Sequence, residues 1–101
     1  IDTDQIKYIE ADSNYSIFTL KNNEKITVSK VLKDYEEILP PARFQRIHKS
    51  TIVNMDHIKE YSSRDGLKVI LNSGESFPVS RRRATDFFET MRRYTTIQIE
   101  K

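Results

Sequence analysis

Cationic and hydrogen-bond-donating side chains gather at two places in this 101-residue sequence, Arg43-Phe44-Gln45-Arg46-Ile47-His48-Lys49-Ser50-Thr51-Ile52-Val53-Asn54 and Ser80-Arg81-Arg82-Arg83. In the first, Arg46, His48, Lys49, Ser50 and Asn54 are set between apolar residues that would anchor the backbone in a core. In the second, the arginines follow apolar Phe77-Pro78-Val79, where a strand ends and a helix begins. A helix N-terminus already presents free N–H groups and positive potential, so cations there cost stability unless an anion compensates them. Phosphate would be such an anion, and a guanidinium can instead donate bidentately to guanine in a major groove. The plainer alternatives are a solvated strand carrying ordinary surface charges, and Arg82 and Arg83 paired with surface acids such as Asp86 or Glu89. A third place, Asp12-Ser13-Asn14 with Tyr15 behind it, reads as a turn in which Asn14 tolerates a left-handed backbone. Alone it is an ordinary hairpin turn.

Catalytic chemistry finds no such footing. His48 and His57 are the only imidazoles, and a spacing of nine matches no metal-ligand pattern. Asp56 adjoins His57, but neighbours on a strand point to opposite faces. Two glycines cannot build a Walker-type or dinucleotide cradle, and there is no GxSxG. With no cysteine there is no disulfide framework, thiolate metal site or cysteine nucleophile, which fits a reducing cytoplasm. The expectation is a non-enzyme without cofactor or metal.

The elements that must position these donors are short. Strand-like runs rich in β-branched and aromatic residues, each closed by polar turn residues, are predicted over Ile6–Ala11, Tyr15–Leu20, Lys25–Val28, Phe44–His48, Thr51–Asn54, Ile58–Ser62, Leu67–Leu71 and Ser76–Val79. Alternation in the first puts Ile6, Tyr8 and Glu10 on one face and Lys7, Ile9 and Ala11 on the other. Lys21-Asn22-Asn23-Glu24, Arg64-Asp65-Gly66 and Asn72-Ser73-Gly74 read as hairpin turns. Ser29 could cap a short helix through Leu39, stopped by Pro40-Pro41. Phe87, Met91 and Tyr94 mark a final helix from about Arg82 to Tyr94, and Thr95 to Lys101 stay ambiguous. The fold class is mainly β, with roughly eight to ten short antiparallel strands and one or two short helices in a small sandwich or meander.

Charge agrees with a one-faced basic footprint. The formal net charge is only +2, but residues 1–42 carry five lysines against eight acids, whereas residues 43–83 carry nine cations against four acids. The length fits one domain, residues 1–101, and no apolar run approaches the roughly 18 residues of a membrane span. The chain opens at Ile1 rather than methionine, as an excised piece of a longer protein would.

Three segments together, Ile9-Glu10-Ala11-Asp12-Ser13-Asn14-Tyr15, Phe44-x-Arg46-Ile47-His48-Lys49-Ser50-x-Ile52-Val53-Asn54 and Phe77-Pro78-Val79-Ser80-Arg81-Arg82, resemble the LytTR family, DNA-binding output domains of bacterial response regulators. The match covers nearly the whole chain, and its middle motif is specific. The resemblance implies an elongated fold of about ten strands in small antiparallel sheets, whose loops, not a recognition helix, enter successive major grooves on one face of double-stranded DNA. Carried over by position, Ser13, Asn14 and Tyr15 would meet one groove. Arg46, His48, Lys49 and Ser50 would meet the backbone or bases beside it, and Ser80 with Arg81 the next groove. Arg82 and Arg83 are phosphate candidates by charge. Where family members commonly carry His or Arg at the first turn, this chain has Asn14 and Tyr15; Lys49 stands where Arg or Asn is also seen. The resemblance further implies a preceding receiver domain, imperfect direct repeats as target, a dimer on DNA and a cytoplasmic setting.

Two other classes stay open on the residues alone. A protein-interaction module could use its basic face on an acidic partner and its sheet edges on a strand. Single-stranded RNA binding would want exposed aromatics for stacking, for which Tyr8, Tyr15 and Tyr61 are the candidates.

Overall fold

The protein is described by a computed structural model covering residues 2–99, with side chains described through Arg93. Eight strands run β1 Ile6–Asp12, β2 Tyr15–Leu20, β3 Lys25–Val28, β4 Phe44–His48, β5 Thr51–Asn54, β6 Ile58–Ser62, β7 Lys68–Leu71 and β8 Ser76–Pro78; the helices are α1 Leu32–Ile38 and α2 Ala84–Ile99. All pairings between these strands are antiparallel. The first five form one sheet in the order β3-β2-β1-β5-β4, and the last three a second sheet in the order β6-β7-β8. The mainly β reading holds, with eight strands among the described residues.

The five-stranded sheet is buried on both faces. Ile6, Ile9, Phe18, Phe44 and Ile52 pack with Leu32 and Leu39 of the α1 region. Tyr8, Ile47 and Val53 pack on the other side with Val69 and Leu71 of β7, Val79, and Phe87 of α2. Ile52 and Val53, adjacent on β5, thus serve opposite cores, as a period of two requires. Thr90 of α2 donates a 2.8 Å hydrogen bond to Oε1 of Gln45 and fastens the helix to the edge strand β4.

Several local expectations are corrected. Simple alternation would put Ile6 and Tyr8 on one face, but the β1–β2 register shifts between them, so Ile6 joins Ile9 and Tyr8 takes the other core. A bulge inserts one unpaired residue and flips the parity of everything before it; here that residue is Lys7, whose Nζ is buried against Asn23 Oδ1 at 3.0 Å and Glu75 Oε2 at 2.9 Å. Ser29 does not cap α1: Val31 occupies the N-cap without a side-chain hydrogen bond, and burial of Leu32 and Leu39, not a cap, holds this short helix. Arg81–Arg83 form a 3-10 turn ahead of α2, which begins at Ala84 and runs beyond Tyr94 to Ile99; Glu100 and Lys101 lie outside the described residues. β8 stops at Pro78, before Val79, and β7 starts at Lys68, after Leu67. Asp56 and His57 lie in a 3-10 turn, Met55–His57, instead of a strand. Tyr8 is buried, which removes it from any stacking surface.

Candidate nucleic-acid interface

The antiparallel register brings sequence-distant turns to one end of the large sheet. Asp12 of β1 faces Tyr15 of β2, Glu10 faces Thr51 of β5, and His48 of β4 faces Thr51. The β1–β2 turn and the β4–β5 turn therefore emerge side by side, joined by a 2.9 Å bond from the Ala11 N–H to the Ser50 carbonyl. The third segment arrives from the small sheet, where the Ser80 N–H donates to the Ile47 carbonyl at 2.8 Å. Lys49 is thus two residues, and Arg81 one residue, from a shared backbone hydrogen bond.

In the first turn the left-handed residue is Ser13 (φ 56°), not Asn14. Positive φ is uncommon outside glycine and asparagine, and here it reverses the chain in two residues. Ser13, Asn14 and Tyr15 all face solvent.

The second turn is held from within. The Ser50 N–H donates to Nδ1 of His48 at 3.3 Å, and the Ser50 hydroxyl lies 2.9 Å from the same nitrogen. The Ser50 amide and hydroxyl thus both lie against Nδ1 and hold the imidazole over the turn. Arg46 donates from Nη2 to the Lys49 carbonyl at 2.6 Å and from Nε to the His48 carbonyl at 3.3 Å, which fixes the turn backbone and leaves the Lys49 side chain exposed.

The third segment divides its arginines. Arg81 and Arg82 are exposed and make no ion pair among the described residues, whereas Arg83 is half-buried and donates from Nη1 to Glu36 Oε2 at 2.9 Å. Glu36 takes Arg46 Nη1 on its other oxygen at 3.1 Å. Burial alone would raise the Glu36 pKa, but the hydrogen bonds from Arg46 and Arg83 outweigh it and hold the carboxyl below its usual range. The acid paired with Arg83 is therefore on α1, and not Asp86 or Glu89.

Of the sequence-chosen residues, Ser13, Asn14, Tyr15, Lys49, Arg81 and Arg82 are exposed near this end, while Arg46, His48, Ser50, Ser80 and Arg83 are half-buried and brace it. Arg43 belongs elsewhere: it pairs with Asp4 at 3.0 Å and Asp56 at 3.4 Å at the opposite end of β4. So does Asn54, which is buried and donates to the Ile6 carbonyl at 2.8 Å. Two residues of this end escaped sequence reading. Glu36 gave no signal because its partners are ten and forty-seven positions away. Lys30, exposed, has its carbonyl held at 2.6 Å by the Ser16 hydroxyl beside the first turn, but it lies in the net-acidic part of the sequence.

Among the described residues, no cluster of His, Asp or Glu could hold a metal ion, and no helix is long and apolar enough to cross a membrane.

Known proteins resemble this chain in sequence, and a solved one in fold. The LytTr DNA-binding domain model matches residues 1–92. The CO-responsive transcriptional regulator RcoM of Rhodospirillum rubrum is 32% identical over 89 residues, 84% of this chain and 37% of its own length. The sensory transduction protein LytT of Bacillus subtilis is 33% identical over 80% of this chain and 34% of its own. The transcriptional regulatory protein LytR of Staphylococcus aureus is 40% identical over 64% of this chain and 27% of its own. This chain thus spans about a third of the length of these relatives. A solved LytTr DNA-binding domain, from a Bacillus cereus protein described as a methyl-accepting/DNA response regulator, superposes with a TM-score of 0.81 at 27% identity, covering 90% of this chain and 84% of that one. With the family model spanning all three edge segments and a fold that agrees with its solved member, the chain belongs to the LytTr DNA-binding domain family.

Proposed function

We propose that this chain, residues 1–101, is a single sequence-specific duplex-DNA-binding output domain of a bacterial response regulator and reads two neighbouring major grooves through its clustered turns. The observation that carries this reading is the pair of backbone bonds, Ala11 to Ser50 and Ser80 to Ile47, which hold three donor-bearing segments on one end of the molecule. Arg81 is the base-reading side chain, donating bidentately to guanine O6 and N7. Lys49 and Arg82 neutralise phosphate, and Asn14 with Tyr15 enters the second groove. Both faces of the five-stranded sheet are occupied by cores, which supports contact through turns instead of a sheet surface.

The greater length of the relatives supports a place within a larger regulator. We propose further that a receiver domain lies ahead of this one, that the setting is cytoplasmic, and that one domain binds per imperfect direct repeat, two copies side by side on the operator. Selection of bound duplexes from a random pool tests the reading. Enrichment of a repeated motif is the expected result. Weak, salt-steep binding with no enrichment would leave a basic protein-interaction face as the better reading.

A further inference from the structure

The carboxylate of Glu36 joins two segments that share no other side-chain bridge among the described residues. One oxygen accepts from Arg46, which itself holds the carbonyls of His48 and Lys49, and the other accepts from Arg83, two residues beyond Arg81. Both arginine side chains are more enclosed than that of the acid, 16% and 24% exposed against 37%. Two cations placed this close to a DNA-facing end would bind any phosphate in reach if left uncompensated, because phosphate neutralisation drives affinity without regard to sequence. Glu36 cancels one of the two charges and ties both side chains to α1.

We infer that Glu36 is a positioning and specificity-determining residue: it braces the side chains of two segments already joined at Ser80 and Ile47, and withholds Arg46 and Arg83 from phosphate, so that DNA sequence instead of backbone charge decides binding. This rests on the DNA-reading assignment above. Its consequence runs against intuition, since removing an acid would make the protein bind DNA more tightly and less selectively.

The test compares the wild-type chain with Glu36→Gln and Glu36→Asp on the duplex enriched from a random pool and on its scrambled counterpart, across a salt series, with thermal unfolding measured for each variant. Glu36→Gln is expected to raise scrambled-duplex affinity several-fold at low salt, steepen its salt dependence by about one phosphate contact, and lower the enriched-to-scrambled ratio about tenfold. Glu36→Asp keeps the charge and should leave scrambled-duplex affinity at the wild-type level. A merely structural role would instead lower both affinities together with the unfolding temperature, and that result overturns the inference. So does an unchanged ratio with unchanged scrambled affinity. A wild-type chain without any preference would instead remove the DNA-reading assignment itself, and this inference with it.

Discussion

The ammonium of Lys7, 3% exposed, lies 2.9 Å from a carboxylate oxygen of Glu75 and 3.0 Å from the side-chain oxygen of Asn23. It ties the β2–β3 turn of the large sheet to the β7–β8 turn of the small one. At the opposite end the two sheets meet again, where Ser80 follows β8 and bonds to Ile47. The small sheet is therefore pinned at both ends, and Arg81 has a fixed origin relative to the first two turns.

Acid should loosen this arrangement in two stages. Burial pushes the Glu75 carboxyl up, but hydrogen bonds from Ser73, Lys7 and its own backbone N–H dominate and bring it down to about 2 from 4.5. A carboxyl with a depressed folded value stabilises fully above its unfolded value, so this contribution, about 3 kcal/mol at most, fades as pH falls from about 4.5 to about 2. His57 is also lowered, first by burial and then by the nearby Lys21 cation. The unfolded chain takes up that proton first, so stability begins to decline as pH drops below about 6.5. Urea unfolding across this range should show both declines, with Glu75→Gln flattening the lower and His57→Gln the upper.

Arg81→Ala should weaken binding to the enriched duplex by about 1–3 kcal/mol and flatten preference at one base pair. Stability should change by less than about 0.5 kcal/mol, because Arg81 is exposed and carries no ion pair among the described residues. Competition binding with single-base variants checks the first point, and equal loss on every variant would contradict base readout.

Lys49→Gln should behave differently. A cation on phosphate contributes to all sequences alike, so affinities for enriched and scrambled duplex should fall together and the salt slope should shrink by about one. A change confined to the enriched duplex would assign Lys49 to a base instead.

Phe87 is fully buried where α2 meets both sheets, with Ile47 and Val79 in the same cluster. Phe87→Ala should cost about 3–5 kcal/mol, a large part of the 5–15 kcal/mol typical of a domain. Chemical denaturation measures it. The variant should lose DNA affinity only in proportion to its unfolded fraction, since Phe87 lies in the core and not in a turn.

Strand positions were legible because β-branched runs end at turn residues whose chemistry is local: Asn72-Ser73-Gly74 places a glycine at φ 102° where the β7–β8 chain reverses. The three donor segments were legible through motif order and residue type. What sequence could not disclose depends on bulges and distance. The extra residue at Lys7 changes the face of Ile6 without altering the apolar pattern, and partners forty-seven positions apart leave no periodic trace of Glu36. Charge counting misled in one respect, since Arg43 adds to the basic segment yet is neutralised by Asp4 and Asp56 at the far end.

Because both faces of the five-stranded sheet are sealed, the exposed side chains on its turns have no packing duties. Asn14 and Lys49 there, and Arg81 after β8, can be exchanged without opening a cavity, so under the proposed reading DNA preference can change while the scaffold stays the same. The same separation makes the domain a practical chassis for retargeting, in which turn libraries are screened on a frame whose stability is set elsewhere.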